Sequence, residues 1–266
     1  MGTVRWLAEY VEAGAVAFRI GRDGDELVAE WIGLARVTAR RDGSAYRFEP
    51  EPGVEDAEVD KVRRGGANLL LRHLQGKLAI HGAAVALGSR ALILLGRSGR
   101  GKSTLAASLC MHAGTTLFSD DAVALDPGPS VGTYVVSPVE SNHWLDLPAR
   151  RAVLGTASDG EGKTPVRAAR VGSRSAALVA IVELAFFEGE TPRLTVVGSG
   201  MEAIGALVPQ AVRFVLDEPD LQRRELEALA DLVERVPVYR LERPRGLDKL
   251  ELAHPLLLQL LGNEGK

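Results

Sequence analysis

The chain has 266 residues, of which 46% are hydrophobic and 25% charged, enough apolar content for one large core or two modest ones. A formal net charge of -3 and a pI near 6.0 argue against a dedicated nucleic-acid binder. One cysteine, Cys110, excludes a disulfide framework and leads us to expect a reducing, cytoplasmic setting.

The first apolar stretch carries Glu9 and Glu12 and lacks a signal-peptide core. Trp6 stands where a myristoylation signal would need Ser or Thr. No segment approaches the ~18 uninterrupted apolar residues of a membrane helix. A soluble protein without a membrane partner is expected.

The first fifty residues read as strands. Val16, Phe18 and Ile20 alternate with smaller or polar neighbours, Arg22-Asp23-Gly24 is turn-like, and β-like runs follow at 28–39 and 46–48. After the break at 49–53, Val59, Val62, Leu69, Leu70 and Leu74 recur at helical spacing, with Gly65-Gly66 weakening that helix. A β-rich region over 1–75 and a catalytic domain over 76–266 are the expected divisions. The first is either a module of its own or extra strands on the main sheet.

From Leu78 the pattern sharpens. Residues 78–87 are apolar and β-like, Gly88-Ser89 suits a hairpin turn, and Ala91 to Leu95 is unbroken apolar, as in a strand buried on both faces. Gly96-Arg97-Ser98-Gly99-Arg100-Gly101-Lys102-Ser103 then fits GxxxxGK[ST], and Thr104 to Ala113 reads as a helix stopped by Gly114. Strand, glycine loop and helix follow in the order that a phosphate cradle needs. The expected binding residues are Gly96, Ser98, Gly99, Arg100, Gly101, Lys102, Ser103 and Thr104, with ATP as ligand. Lys102 would reach the β/γ oxygens and the Ser103 hydroxyl would ligate Mg²⁺.

Asp120-Asp121 ends the run Thr116-Leu117-Phe118-Ser119. Beside a phosphate loop one such carboxylate can hold Mg²⁺ and another can accept a proton from an attacking hydroxyl, although a surface turn would use the same letters. His81, on the strand expected to pair with 91–95, is by itself as easily a core residue as a catalytic one. Residues 155–165 form the longest polar, glycine-rich interruption. Lys163, or Arg167, Arg170 or Arg174, could close over phosphates from there, or simply face solvent.

Leu178 to Phe187 is a further strand, Pro219 to Val236 an amphipathic helix, Val238 to Leu241 a short strand and Leu256 to Leu261 a closing helix. Phe214-Val215-Leu216-Asp217-Glu218-Pro219 has the letters of a Walker B segment, in which Glu218 would activate water. It also reads as a cap ahead of a helix starting at Pro219, and no LSGGQ-like stretch precedes it.

Taken together, Ile80-His81-Gly82, the hairpin, the loop 96–103 and Ser119-Asp120-Asp121-Ala122-Val123 resemble the catalytic domain of HPr kinase/phosphorylase. Val236-Pro237-Val238-Tyr239-Arg240-Leu241 is fainter and resembles the closing strand of HPr-kinase-related proteins, including lasso peptide kinases. The resemblance implies an α/β P-loop kinase domain with a mixed β-sheet, akin to phosphoenolpyruvate carboxykinase, and transfer from ATP to a hydroxyl of serine type. It implies Asp121 as base, Asp120 with Ser103 as metal ligands, His81 in support of the pair, and possible homo-oligomers. The acceptor would be a peptide, protein or small molecule. The family's Leu-Glu-x-Arg-Gly segment has no clear counterpart, Glu140 and Asp146 being the nearest acids, so HPr itself is not the expected substrate. The alternatives are an ABC-like ATPase and a nucleotide-binding subunit without turnover.

Overall fold

The computed structural model describes residues 3–111, 115–155, 162–198 and 200–262. The chain divides into two compact units. One comprises the residues up to Lys77 together with Val212–Glu225; the other comprises Leu78–Ala211 and the residues from Leu226 onward.

The first unit is built on five antiparallel strands in sequence order: β1 (Arg5–Glu12), β2 (Ala15–Asp23), β3 (Glu26–Trp31), β4 (Ala35–Arg40) and β5 (Tyr46–Pro50). They form a sheet of their own. The run at 28–39 is two strands, since Gly33 at φ +74° turns the chain between them. One face of the sheet, with Ile20, Leu27, Ala29 and Val37, packs on Leu70 and Leu74.

Those leucines belong to a helical stretch made of α1 (Asp56–Val62), a π-helical turn (Arg63–Ala67) and α2 (Asn68–Leu74). Gly65-Gly66 is expected to weaken the helix, but the chain widens there into the π turn and continues. A Cβ on Gly66 would stand 2.5 Å from the Trp31 ring, so the missing side chain is what lets the indole pack. Val212–Glu225 completes this core: Phe214 lies 5.9 Å from Phe18 edge-on, and the buried His73 ring bonds the Val215 carbonyl at 3.2 Å.

The second unit contains β6 (Ala79–His81), β7 (Ala83–Leu87), β8 (Arg90–Leu95), α3 (Lys102–Cys110), β9 (Thr115–Ser119), β10 (Ala122–Pro127), β11 (Tyr134–Val136) and β12 (Asn142–Leu145). Then follow α4 (Leu147–Leu154), β13 (Thr164–Arg167), β14 (Ala176–Phe186), β15 (Arg193–Val196), α5 (Met201–Leu207), α6 (Pro219–Arg235, of which only the residues from Leu226 onward belong to this unit), β16 (Val238–Arg243) and α7 (His254–Gly262). The mixed sheet runs β6-β10-β11-β14-β8-β7-β9, with β16 parallel to β14 and β15 antiparallel to β16. β12 and β13 form a separate ribbon.

β8 is buried on both faces, as its unbroken apolar run requires. Ile93 and Leu95 point into a core closed by α5 and by Leu229 and Leu232, while Leu92 and Leu94 point into one closed by α3 and α7. The hairpin turns at Gly88-Ser89, with Leu87 opposite Arg90.

His81 departs from expectation. It lies on β6, opposite Ala122 of β10, and not on the strand that pairs with β8. The chain bends at Gly82, where a Cβ would come within 2.8 Å of the Leu94 carbonyl. The partner strand bends at the same level, between β9 and β10, and the Gly82 N–H donates to the Asp121 carbonyl at 3.0 Å. The two ends of the strand order are joined through these bends, so the sheet curls back on itself.

Candidate functional site

The loop 96–101 connects β8 to α3, and its backbone explains its glycines. Gly96 has φ +141°, Gly99 +80° and Gly101 +79°, conformations that L side chains rarely adopt. Gly96 is also packed close to the Leu184 carbonyl, 3.2 Å from where a Cβ would stand. Gly101 is the N-cap of α3 and accepts the Leu105 N–H at 2.9 Å, so Lys102, Ser103 and Thr104 form the helix's first turn. Their N–H groups have no carbonyl a turn earlier and face the loop. Lys102 Nζ donates to the Gly96 carbonyl at 2.7 Å, folding the lysine back over the loop. Ser98 and Gly99 are exposed at the tip and Arg100 is half-buried. The end of the expected helix, 112–114, lies outside the described residues.

Asp120 and Asp121 sit in the bend between β9 and β10. Leaving the strand ladder frees the Asp120 N–H, which donates to a carboxylate oxygen of Glu140; the Ser119 hydroxyl donates to the same oxygen at 3.3 Å. The Asp120 side chain points inward and is 4% exposed. Its Oδ2 accepts the Trp144 N–H at 2.6 Å, its Oδ1 is buried without a partner, and the Ser103 hydroxyl faces the carboxylate. Asp121 is exposed beside it. The loop's serine and the acid pair therefore meet at one place.

The electrostatics follow from that crowding. Burial pushes the Asp120 carboxyl up to about 7, against the Trp144 N–H and Ser103 hydroxyl, which favour the charged form. Burial also raises Glu140. Lys102 is lowered by burial and by the charge of Lys163, while Asp121 and Asp120 act to raise it. The charge of Lys163 thus acts on both Lys102 and Asp120. Residues 156–161 of the intervening segment lie outside the described residues.

Four neighbours have no signature in the sequence. Glu140 and Trp144 reach Asp120 from the connection after β11 and from β12. His143 Nδ1 lies 3.9 Å from Asp120 Oδ2, and burial lowers its pKa to about 4, so the ring is neutral at pH 7 and forms no ion pair. Arg243, at the end of β16, is 3% exposed and donates from Nη2 to the Arg100 carbonyl at 3.0 Å. A Cβ on Gly101 would meet that same Nη2 at 2.5 Å. Only pairing across the sheet brings these residues in, and local spacing carries no trace of it.

His81 is exposed on β6, next to the Gly82 N–H that bonds Asp121. Asp146 has a structural place: its carboxylate caps α4 by accepting the Ala149 N–H at 2.9 Å. Arg167 is exposed on β13, and Arg170 and Arg174 are exposed beyond it. The segment 214–219 forms no strand. Within the first unit Arg22 pairs with Asp217 at 2.9 Å and with Glu218 at 2.6 Å, and the Glu218 carbonyl accepts the Leu221 and Gln222 N–H groups at the start of α6. The two acids are accounted for by their pairing with Arg22, and the segment has no strand for a Walker B carboxylate to end.

A resident Mg²⁺ fits this donor set. The unpartnered Asp120 oxygen and the Ser103 hydroxyl are hard oxygen ligands, of the kind Mg²⁺ takes together with water and phosphate. No group of three or more His, Cys, Asp or Glu that could hold a metal by itself occurs among the described residues. Any metal here would depend on oxygens from elsewhere.

No family model matches the chain, and no curated protein matches its sequence. Among solved structures it is similar to the Hpr(Ser) kinase/phosphatase from Coxiella burnetii, at 11% identity and a TM-score of 0.35, over 68% of this chain and 96% of that one. No helix among the described residues is long and apolar enough to cross a membrane.

Proposed function

We propose that the protein is an ATP- and Mg²⁺-dependent kinase that phosphorylates a hydroxyl, of serine type, on a peptide, protein or small molecule. One observation carries the proposal: the loop's Ser103 and the buried, half-unpartnered carboxylate of Asp120 face each other, with Asp121 exposed alongside. An anion-binding loop explains nucleotide binding. A carboxylate pair against that loop is what in-line transfer to a hydroxyl adds to it.

In this reading the N–H groups of the loop and of the first turn of α3 hold the β- and γ-phosphates, and Lys102 swings from the Gly96 carbonyl onto their oxygens. Ser103 and Asp120 would hold Mg²⁺, which when bound neutralises charge on the phosphates. Asp121, reachable from solvent, accepts the acceptor's proton as its oxygen bonds the γ-phosphorus. The bond to the β,γ-bridging oxygen breaks and ADP leaves. Lys163 screens the charge from the open side. His81, on the neighbouring bend, supports the acid pair. Assignment of serine as acceptor, and of a fold akin to phosphoenolpyruvate carboxykinase, draws on the likeness of 80–82, 96–103 and 119–123 to HPr kinase/phosphorylase.

Asp121→Asn tests the proposal. Transfer from ATP should fall by ~10²–10⁴, the range for loss of a general base, while ADP affinity stays within about threefold. Undiminished transfer in that variant overturns the assignment of Asp121.

A further inference from the structure

Three guanidinium groups crowd one aromatic ring beside the glycine loop. The central carbons of Arg100, Arg243 and Arg245 lie 5.5, 4.7 and 4.8 Å from the centroid of Phe186. The arrangement comes from the sheet: Phe186 ends β14, Arg243 ends β16, and the two face each other in parallel register. Arg100 comes from the loop and Arg245 from the exposed segment after β16.

The ring accounts for only part of this. A cation gains modestly from the face of an aromatic ring, but like charges held together repel. No carboxylate pairs with Arg100, Arg243 or Arg245 among the described residues. Arg243 is buried, its Nε has no partner, and burial draws its pKa down to about 10, which leaves it charged at neutral pH. Arg243 is committed to the Arg100 carbonyl. The guanidinium groups of Arg100 and Arg245 are free to take an anion.

The strand order says which one. β14 borders β8 on one side, while β7 and then β9 lie on the other. Asp120 and Asp121 follow β9, so the γ-phosphoryl and the acceptor hydroxyl belong on that flank. The opposite end of a nucleotide laid across the loop reaches the flank of β14 and β16. We infer that Arg100 and Arg245, carried on Phe186, form a subsite for the nucleoside end of the nucleotide, with their guanidinium groups on its α-phosphate. The inference rests on the kinase reading above only for the direction in which the nucleotide lies.

Calorimetry with two probes tests it, Mg-ADP and Mg-pyrophosphate, on wild type, Arg245→Ala and Phe186→Leu. Pyrophosphate fills the loop but has no nucleoside end. Both variants should bind ADP about tenfold more weakly and pyrophosphate within twofold of wild type. Unchanged ADP affinity overturns the subsite, and so does equal weakening of both probes, which is a general loss of field. Wild type binding neither probe removes the subsite and the phosphate loop together. Absence of transfer with ADP binding shifted as stated removes only the kinase reading.

Discussion

Asp120→Asn exchanges a buried, charge-bearing group for a neutral one of the same shape, and its consequence for stability can be worked from the site. Burial holds the Asp120 carboxyl at about 7, well above the ordinary 3.8 of an aspartate. That rise sets an upper bound of about 4 kcal/mol on the cost of ionising it in the folded protein. Between pH 4 and 7 the folded state keeps a proton that the unfolded state has lost. Stability without metal therefore falls as pH rises through this window and levels off above it. Asparagine has no such cost, and its carbonyl can still accept the Trp144 N–H. Its amide must occupy the unpartnered Oδ1 position, which returns about 1–3 kcal/mol. Net, the variant should be about 1–3 kcal/mol more stable than wild type at pH 8 and about 1–3 kcal/mol less stable at pH 4, where Asp120 is protonated at no cost and only the amide's penalty remains. Urea titrations at both pH values with EDTA present measure the difference. Added Mg²⁺ should stabilise wild type alone. A difference that does not change with pH, or a variant less stable at pH 8, would refute the argument that burial of this carboxylate costs stability.

Two further outcomes follow from the packing. Gly82→Ala places a Cβ within 2.8 Å of the Leu94 carbonyl at the bend of the curled sheet, and should destabilise the second unit by about 2–4 kcal/mol, read as a lower urea midpoint. Glu218→Gln weakens the pair with Arg22 and should cost about 1 kcal/mol of stability while leaving nucleotide turnover within twofold. A collapse of turnover there would restore the water-activating role to Glu218.

Much of the second unit was legible because its information is local. The unbroken apolar run of β8, the Gly88-Ser89 turn, the glycine pattern at 96–101 and the acids after β9 each announce themselves within a few residues. What escaped is what the sheet assembles. Nothing near Gly82 distinguishes a strand that continues from one that bends, because the reason is the Leu94 carbonyl twelve residues on. Glu140, His143 and Trp144 reach Asp120 only because the chain returns after β11, and Arg243 reaches the loop only because β16 lies beside β14. In the first unit the strand character of 1–50 was plain. That Val212–Glu225 packs into its core was not, since Phe214 and Val215 read equally well as a buried strand.

The central claim is that the glycine loop and the acid pair act on one triphosphate. Incubating wild type and Asp121→Asn with γ-labelled ATP, Mg²⁺ and fractionated lysate, then identifying labelled species by mass spectrometry, tests it most directly. Wild type should place label on a serine-type hydroxyl and the variant should place almost none. Label appearing only as free phosphate, at the same rate with both proteins, would contradict it.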